Sequence, residues 1–315
     1  MSKQARSIAL IMLVFILAGW YLVSEGQELK ALVQLRPVYL FPLLAAVFFQ
    51  LSLNGLITRA CVSCFNIDLS LREWLGLAII TSMGNYLAPF RGGMAGKAVY
   101  LKKKHGFSYS EFLATVAASL MIIMLEGSLG GVLAVIIIYV NSGVLHIYLG
   151  LPLLAAALAI LFLLTDNGLE DRLLRLSSEH KWVTGLKNGI SGWRALKKNK
   201  GVIKKIAALG LVNYFLITAQ IFFSAQALSL EINFLSAWFM AVFAGFTLLL
   251  SLTPANIGIN EAVIGSIAGI TGTGFNPGVL LASLIRLAGI LIVFTLGPLC
   301  SYLLLIRDTP NLRQL

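Results

Sequence analysis

The chain has 315 residues, of which 58% are hydrophobic and only 12% are charged. Soluble domains have about a quarter of their residues charged, so this composition excludes an ordinary soluble protein. Several apolar runs approach the roughly 20 residues that a helix needs to cross a bilayer, which predicts an integral membrane protein. The formal net charge of +11 then indicates cytoplasmic loops facing anionic lipid headgroups, and we predict no nucleic-acid partner.

The first half begins with an apolar run at residues 8–23, preceded by Lys3 and Arg6 and followed by no A-x-A-like cleavage site. We therefore predict an uncleaved membrane helix there, and a second one at residues 38–57. Residues 74–88 are apolar but too short to cross, and they lead into Pro89, a glycine-rich stretch and three lysines at 102–104. We predict that residues 74–101 form a re-entrant hairpin whose tip is residues 89–96. Membrane helices are predicted to follow at residues 112–140 and 145–164.

The polar stretch at residues 166–205 holds ten of the 24 Lys and Arg residues. Its parts 169–176 and 183–196 are amphipathic, which is typical either of helices on the membrane surface or of a solvated connector. Residues 206–228 are predicted to cross again. Residues 234–252 and 259–272 form a second predicted hairpin, broken at a Thr-Pro-Ala-Asn-Ile-Gly segment, and residues 278–306 form the last helix.

The predicted fold is an all-α, polytopic membrane bundle with two broken hairpins in inverted-repeat-like halves. The chain is one membrane domain, with a first half at about 1–165, a cytoplasmic connector at 166–205 and a second half at 206–315. This topology leaves 19 basic residues in the cytoplasm and two, Lys30 and Arg36, outside. We therefore predict that the protein lies in the inner (cytoplasmic) membrane. By the positive-inside rule, both termini are predicted to lie in the cytoplasm. Paired interruptions in two halves are typical of transporters with a midplane site.

Four residues are predicted to shape the two breaks: Pro89 and Gly93 in the first, and Pro254 and Gly258 in the second. Proline stops a helix and glycine permits unusual backbone conformations. Because lipid cannot satisfy loose amides, a broken backbone at membrane depth must be buried in protein or line a wet cavity. We therefore predict a polar site at the breaks.

Five ionisable residues fall where lipid is expected: Arg91, Lys97, Glu126, Glu261 and Arg286. Each costs roughly 2.5–3.5 kcal/mol at a helix centre, so each must pair or contact water. Glu261 could stabilise a helix N-terminus, pair with Arg286, or handle substrate or protons. Arg286 could hold a phosphate or pair with Glu261 or Glu126. Arg91 and Lys97 could form an anion site or a basic edge, and Glu126 could be the acid that pairs with a basic cluster.

We predict that these five residues, together with Asn256 and Asn260 in the second break, bind substrate. Cys61 and Cys64 form a lone C-x-x-C motif, whereas structural zinc sites are four-coordinate. We therefore predict no metal site and no cofactor.

Thr253, Pro254, Gly258 and Glu261, followed 25 residues later by Arg286, carry a family resemblance. They resemble the T-P-x-x-x-G-x-x-E turn and the following arginine of the flippase-like membrane domain of lysylphosphatidylglycerol synthases and its stand-alone relatives. The resemblance covers nearly the whole chain. It implies a lipid translocase with a site between two pseudo-symmetric halves, without the soluble aminoacyl-transfer domain of the full-length synthases.

The first half matches the family pattern in part. Gly93 fits, Lys97 stands where arginine is usual, and Met94 replaces an acid. The predicted function is therefore movement of an anionic or phosphate-bearing lipid headgroup between leaflets, with membrane lipids as partners.

Three alternatives stay open at this point: a membrane-embedded lipid-modifying enzyme, an accessory subunit of a partner synthase or glycosyltransferase, and a small-solute transporter. The sequence shows no nucleophile with its base and no nucleotide-binding glycine motif, so we predict no enzymatic activity. The oligomeric state is left open.

Overall fold

The computed structural model describes residues 35–88, 90–143, 147–165, 193–194, 196–250 and 253–307. Within these ranges the chain forms helices and turns and no strand. In chain order the helices are α1 (Leu40–Ser63), α2 (Leu71–Leu87), α3 (Gly92–His105), α4 (Tyr109–Ser142), α5 (Ile147–Thr165), α6 (Lys200–Ala227), α7 (Phe234–Phe246), α8 (Ile259–Ile270) and α9 (Phe275–Ser301).

Five of these helices are long and apolar enough to cross a bilayer, namely α1, α4, α5, α6 and α9. They lie where the sequence predicts crossings, which confirms an all-α polytopic membrane bundle. Helix α6 begins at Lys200, inside the predicted connector. The predicted first helix at residues 8–23, the amphipathic segment at 169–176, most of the one at 183–196, and Pro89 lie outside the described residues.

The first hairpin consists of α2, with 17 residues, and α3, with 14. Ser70 and Glu73 form a capping box that starts α2, in which the Glu73 carboxylate accepts from the Ser70 amide at 3.0 Å and from the Ser70 hydroxyl at 2.8 Å. The chain reverses where Phe90 and Arg91 adopt left-handed conformations, with φ of 53° and 56°. Both residues are non-glycine, so the reversal does not depend on the glycines that follow.

Gly93 has a different role from the predicted one, because it lies in the first turn of α3 and not in the turn itself. It is buried, and a Cβ atom there would overlap the carbonyl oxygen of Thr81 on α2. Gly93 therefore lets α2 and α3 approach closely. Gly96, one turn further along α3, faces open space.

The second hairpin consists of α7, two short 3₁₀ turns (Thr247–Leu250 and Pro254–Asn256) and α8. Pro254 and Gly258 both lie in this break. Ala255, Asn256 and Gly258 have φ of 47°, 56° and 84°. Three left-handed residues within four positions turn the chain sharply between α7 and α8.

The largest buried cluster joins α1, α4, α6, α7, α8 and α9, with Leu153 contributed by α5. Helix α5 packs on α4 at the edge and exposes large apolar side chains such as Leu151, Leu158 and Phe162, as expected of a lipid-facing helix. The turn Pro254–Asn256 contacts α2. The break of the second hairpin therefore lies against the first hairpin.

Candidate functional site

Glu261 and Arg286 form an ion pair between Oε1 and Nε, and each side chain is 13% exposed. The second oxygen of Glu261 accepts a hydrogen bond from the amide of Gly258 at 2.8 Å. Arg286 also donates to the carbonyls of Ala255 at 3.0 Å and Asn256 at 3.2 Å. One ion pair thus neutralises two buried charges and satisfies three backbone groups of the second break.

Asn256 and Asn260 also hold this break together. The side-chain amide of Asn256 donates to the carbonyl of Thr247 at 2.8 Å, and the Thr247 hydroxyl lies 3.4 Å from Oδ1 of Asn260. These bonds tie the end of α7 to the start of α8. Both asparagines also line a cavity beside the break.

That cavity, called here the carboxamide cavity, has a volume of about 250 Å³. Its polar lining is dominated by side-chain amides from four parts of the fold, namely Gln50, Asn85, Gln220, Asn256 and Asn260. The other polar side chains in the lining are those of Ser82, Tyr86, Arg91, Thr253 and Arg286. Its wall therefore combines α1, α2, α6, α9 and the second break.

Arg91 joins the two hairpins, because its guanidinium donates a hydrogen bond to the carbonyl oxygen of Leu248 in the second one. A second cavity of about 210 Å³, called here the lysine cavity, lies on the other side of this contact and contains Lys97. Ser82, Asn85, Arg91 and Leu248 line both cavities. The two cavities are therefore neighbours, with Arg91 at their junction.

Lys97 projects into the lysine cavity from α3. Its Nζ donates to the hydroxyl of Thr58 on α1 at 2.7 Å, and it forms no ion pair with any acid in the described part of the chain. Cys61 and Thr115 line the same cavity. Lys97 thus supplies a positive charge that a bound anion could neutralise.

Glu126 lies elsewhere, on α4, and lines neither of these two cavities. It borders a mostly apolar cavity of about 300 Å³ whose other walls include Leu129, Ile206 and Ala207. Both carboxylate oxygens are buried without a hydrogen-bond partner, and one lies against Gly210 of α6. The structure therefore brings Arg91 and Lys97 together, and Glu261 with Arg286, but places Glu126 apart from both groups.

The sequence matches the family model described as the lysylphosphatidylglycerol synthase TM region over residues 7–297. The chain belongs to this family. The match includes both hairpins and all the residues of the two polar cavities. Membership indicates a lipid-related function in the membrane, and the five candidate spans make this family member a multi-pass membrane protein. No curated protein and no solved structure matched the chain.

The sequence did not predict several residues that line the carboxamide and lysine cavities of this family member. Gln220 on α6 donates to Gln50 on α1 at 3.1 Å and reaches the carbonyl of Ala46 at 3.4 Å. Asn85 on α2 has a buried Oδ1 atom without a partner in the described chain. A carboxamide within an apolar membrane helix was the available signal, since such groups are costly in lipid.

Glu73 organises a second polar cluster, at the end of the first hairpin away from the break. Its carboxylate accepts from Ser70 (2.8 Å), Lys104 (3.1 Å), His105 (2.9 Å) and Tyr100 (3.2 Å). Burial by itself raises the pKa of Glu73, but the hydrogen bonds from Ser70, His105 and Lys104 outweigh it and lower the pKa to about 2. This cluster fastens the start of α2 to the end of α3. Among the described residues no group of His, Cys, Asp and Glu could hold a metal ion.

Proposed function

We propose that this member of the lysylphosphatidylglycerol synthase TM region family moves lipids with a phosphate-bearing headgroup between the leaflets of the inner membrane. The observation that carries the proposal is that Arg91 and Lys97 both line the lysine cavity, which adjoins a second polar cavity inside an apolar bundle. Lys97 has only a hydroxyl partner in the described chain. Membrane lipids with anionic headgroups supply the missing counter-charge.

The charge balance favours an anion. Arg286 and Glu261 cancel each other, and Arg286 is further engaged with two carbonyls of the break. Lys97 forms no ion pair in the described part of the chain, so its charge is the one that a bound anion would balance. A phosphate is suited to both Arg91 and Lys97, because arginine bonds two oxygens at once and lysine acts as a compact point charge. In this scheme Arg286 and Glu261 shape the site, and Arg91 and Lys97 bind the headgroup.

The hairpins provide a route for movement. Their breaks contact each other through Arg91 and Leu248, and the two cavities meet at that contact. We propose that the hairpins shift relative to the long helices, so that each cavity opens in turn to one side of the bilayer. This is the alternating-access behaviour of transporters built from broken helices. The re-entrant placement of both hairpins in the bilayer is part of this proposal.

Reconstituted vesicles test the function. Purified protein is inserted into vesicles with fluorescent phosphatidylglycerol, and an impermeant quencher measures how fast inner-leaflet lipid reaches the outside. We expect faster exchange than in protein-free vesicles, and a fall of about tenfold or more in Lys97→Met, which corresponds to a barrier increase of about 1.4 kcal/mol. Lys103→Met is the matched control, because this exposed lysine lies near the end of the same helix. A folded Lys97→Met variant with the wild-type rate contradicts the proposal.

The proposed orientation has both termini in the cytoplasm. A variant without native cysteines that carries Lys103→Cys or Glu231→Cys tests it in intact cells. An impermeant thiol reagent is expected to label the cysteine at position 231 and to spare the one at 103. The reverse pattern would show that the protein is inserted in the opposite orientation.

A further inference from the structure

The two adjoining cavities differ in chemistry. We infer that the carboxamide cavity binds a hydroxyl-rich group attached to the phosphate, such as a sugar or an inositol ring, while Arg91 and Lys97 bind the phosphate itself. This inference rests on the proposed function and names the class of headgroup. It follows from which polar atoms line each cavity and from how the cavities share a wall.

The carboxamide cavity is rich in groups that both donate and accept hydrogen bonds. Five carboxamides line it, and the phenol of Tyr86 adds a hydroxyl, which lies beside Gly289. A carboxamide offers N–H donors and a carbonyl acceptor. Hydroxyl groups of a ligand also donate and accept, so a polyol can satisfy both kinds of partner at once.

Other headgroup types fit this cavity less well. The described residues of its lining include no Asp or Glu, so an ammonium headgroup would find no carboxylate among them. Arg286 is already neutralised by Glu261, and Lys97, which has a hydroxyl partner and no acid partner in the described chain, lies in the neighbouring lysine cavity. Oδ1 of Asn85 is a buried acceptor without a partner among the described residues, and a ligand hydroxyl is a donor that could fill that role.

The position of Arg91 determines which cavity would hold the phosphate and which would hold its hydroxyl-rich substituent. Arg91, Asn85 and Ser82 line both cavities, and Lys97 lines only the lysine cavity. A phosphate between Arg91 and Lys97 would therefore direct its substituent into the carboxamide cavity. The volume of about 250 Å³ lies below the roughly 300–1,000 Å³ of pockets for drug-sized ligands, so it suits a headgroup and not an acyl chain.

Binding to the purified, detergent-solubilised protein tests this inference without relying on transport. Native mass spectrometry compares phosphatidylinositol, phosphatidic acid and phosphatidylethanolamine with identical acyl chains. We expect phosphatidylinositol to bind at least about tenfold more tightly than phosphatidic acid, because a site built for hydroxyl groups discriminates against ligands that lack them. Equal affinity for phosphatidylinositol and phosphatidic acid, or a preference for phosphatidylethanolamine, overturns the inference.

Two variants test whether the preference for phosphatidylinositol comes from the carboxamide cavity. Tyr86→Phe removes one oxygen atom and Asn260→Leu removes one carboxamide, and each is expected to lower phosphatidylinositol affinity while leaving phosphatidic acid affinity unchanged. Lys97→Met is expected to weaken both lipids equally. Thermal unfolding of each variant verifies that it is folded, and the single-atom change in Tyr86→Phe keeps the test decisive if Asn260→Leu unfolds. Equal loss of both lipids in Tyr86→Phe places the preference elsewhere and overturns the inference.

The source of the ligand is resolved by competition. Excess inositol phosphate that displaces phosphatidylinositol supports the same chemistry for a soluble ligand, whereas displacement only by the lipid supports a lipid headgroup. A binding preference in a protein that shows no exchange in vesicles would remove the translocase proposal and leave this inference standing. Lipid exchange without any headgroup preference would overturn this inference and leave the translocase proposal standing.

Discussion

The ion pair between Arg286 of α9 and Glu261 of α8 fixes the shape of the second break. Glu261 accepts from the amide of Gly258, and Arg286 donates to the carbonyls of Ala255 and Asn256. The sequence left open whether these charges bind substrate or each other. The geometry shows that they bind each other, and the broken backbone depends on both.

Arg286→Met is expected to destabilise the protein strongly. It leaves Glu261 without its counter-charge and two carbonyls without a donor, and removing one partner of a buried ion pair typically costs about 3–5 kcal/mol. Thermal unfolding in detergent measures the loss. The double variant Arg286→Met, Glu261→Gln should lose less than the sum of the two single variants. Strict additivity would show that the pair is not coupled.

The exposed pair of Arg59 and Asp68 provides a control for that experiment. These side chains are 41% and 82% exposed, and an exposed ion pair contributes only about 0–1 kcal/mol. Arg59→Met should therefore change the unfolding temperature very little.

Alanine substitutions at two glycines of α3 should have opposite effects. Gly93→Ala places a methyl group against the carbonyl oxygen of Thr81, so α2 and α3 must separate and both stability and lipid exchange should fall. Gly96→Ala meets no atom within 4 Å, and replacing glycine within a helix gains about 0.8–1.0 kcal/mol. Unfolding temperatures and exchange rates measured in parallel provide the comparison. A tolerated Gly93→Ala would contradict the close approach of these helices.

Glu126→Gln is expected to stabilise the protein and leave lipid exchange intact. The carboxylate oxygens of Glu126 are buried without partners among the described residues, so this group must either carry an unpaired buried charge or take up a proton at a free-energy cost, and a neutral amide of the same shape avoids both. Glu126→Ala serves as a comparison, because it removes the charge and also enlarges the apolar cavity. Loss of exchange in a well-folded Glu126→Gln variant would instead assign this carboxylate a part in transport, as the sequence suggested.

The Glu73 cluster should make stability depend on pH in acid. Because the folded-state pKa of Glu73 is lowered from 4.5 to about 2, its ionised form stabilises the fold. This contribution is fully present above pH 4.5 and is lost as the pH falls through about 2. Glu73→Gln should therefore lower the unfolding temperature at neutral pH and flatten its decline between these two values.

Glu111 is the matched control for the acid experiment. It forms the same kind of capping box with Ser108 at the start of α4, but it forms no ion pair with Lys, Arg or His in the described chain. Because Glu111→Gln removes a capping box but no ion pair, it should lower the unfolding temperature at neutral pH by less than Glu73→Gln does. Identical acid profiles for Glu73→Gln and the wild type would contradict the role given to Glu73.

The bundle and the second break follow closely from the sequence. Runs of apolar residues longer than the bilayer requires are a strong and local signal, so the five described crossings were predictable. Pro254 and Gly258 act on the backbone through their own covalent geometry, and they lie in the break. Glu261 lies in the first turn of α8, where the helix N-terminus favours a negative charge.

The partners of the site residues were less predictable, because they depend on which helix faces meet. Nothing in the sequence near Glu126 indicates that its face of α4 lies against Gly210 of α6, in a cavity that contains neither Arg91, Lys97 nor Arg286. Gln50 and Gln220 meet across 170 positions of sequence, and a single amide in an apolar run has no periodicity to reveal it. Gly93 was assigned to a turn because glycine serves both turns and close packing.

The backbone is strained at the two bends, Phe90–Arg91 and Ala255–Asn256. All four residues have a side chain and a positive φ of between 47° and 56°, a region that costs non-glycine residues about 1–2 kcal/mol each. The hydrogen bonds from Arg91 to Leu248 and from Arg286 to Ala255 and Asn256 offset this conformational cost. Without those guanidinium bonds this conformational cost would have no compensation, so the backbone at both tips depends on an arginine from outside the tip or within it.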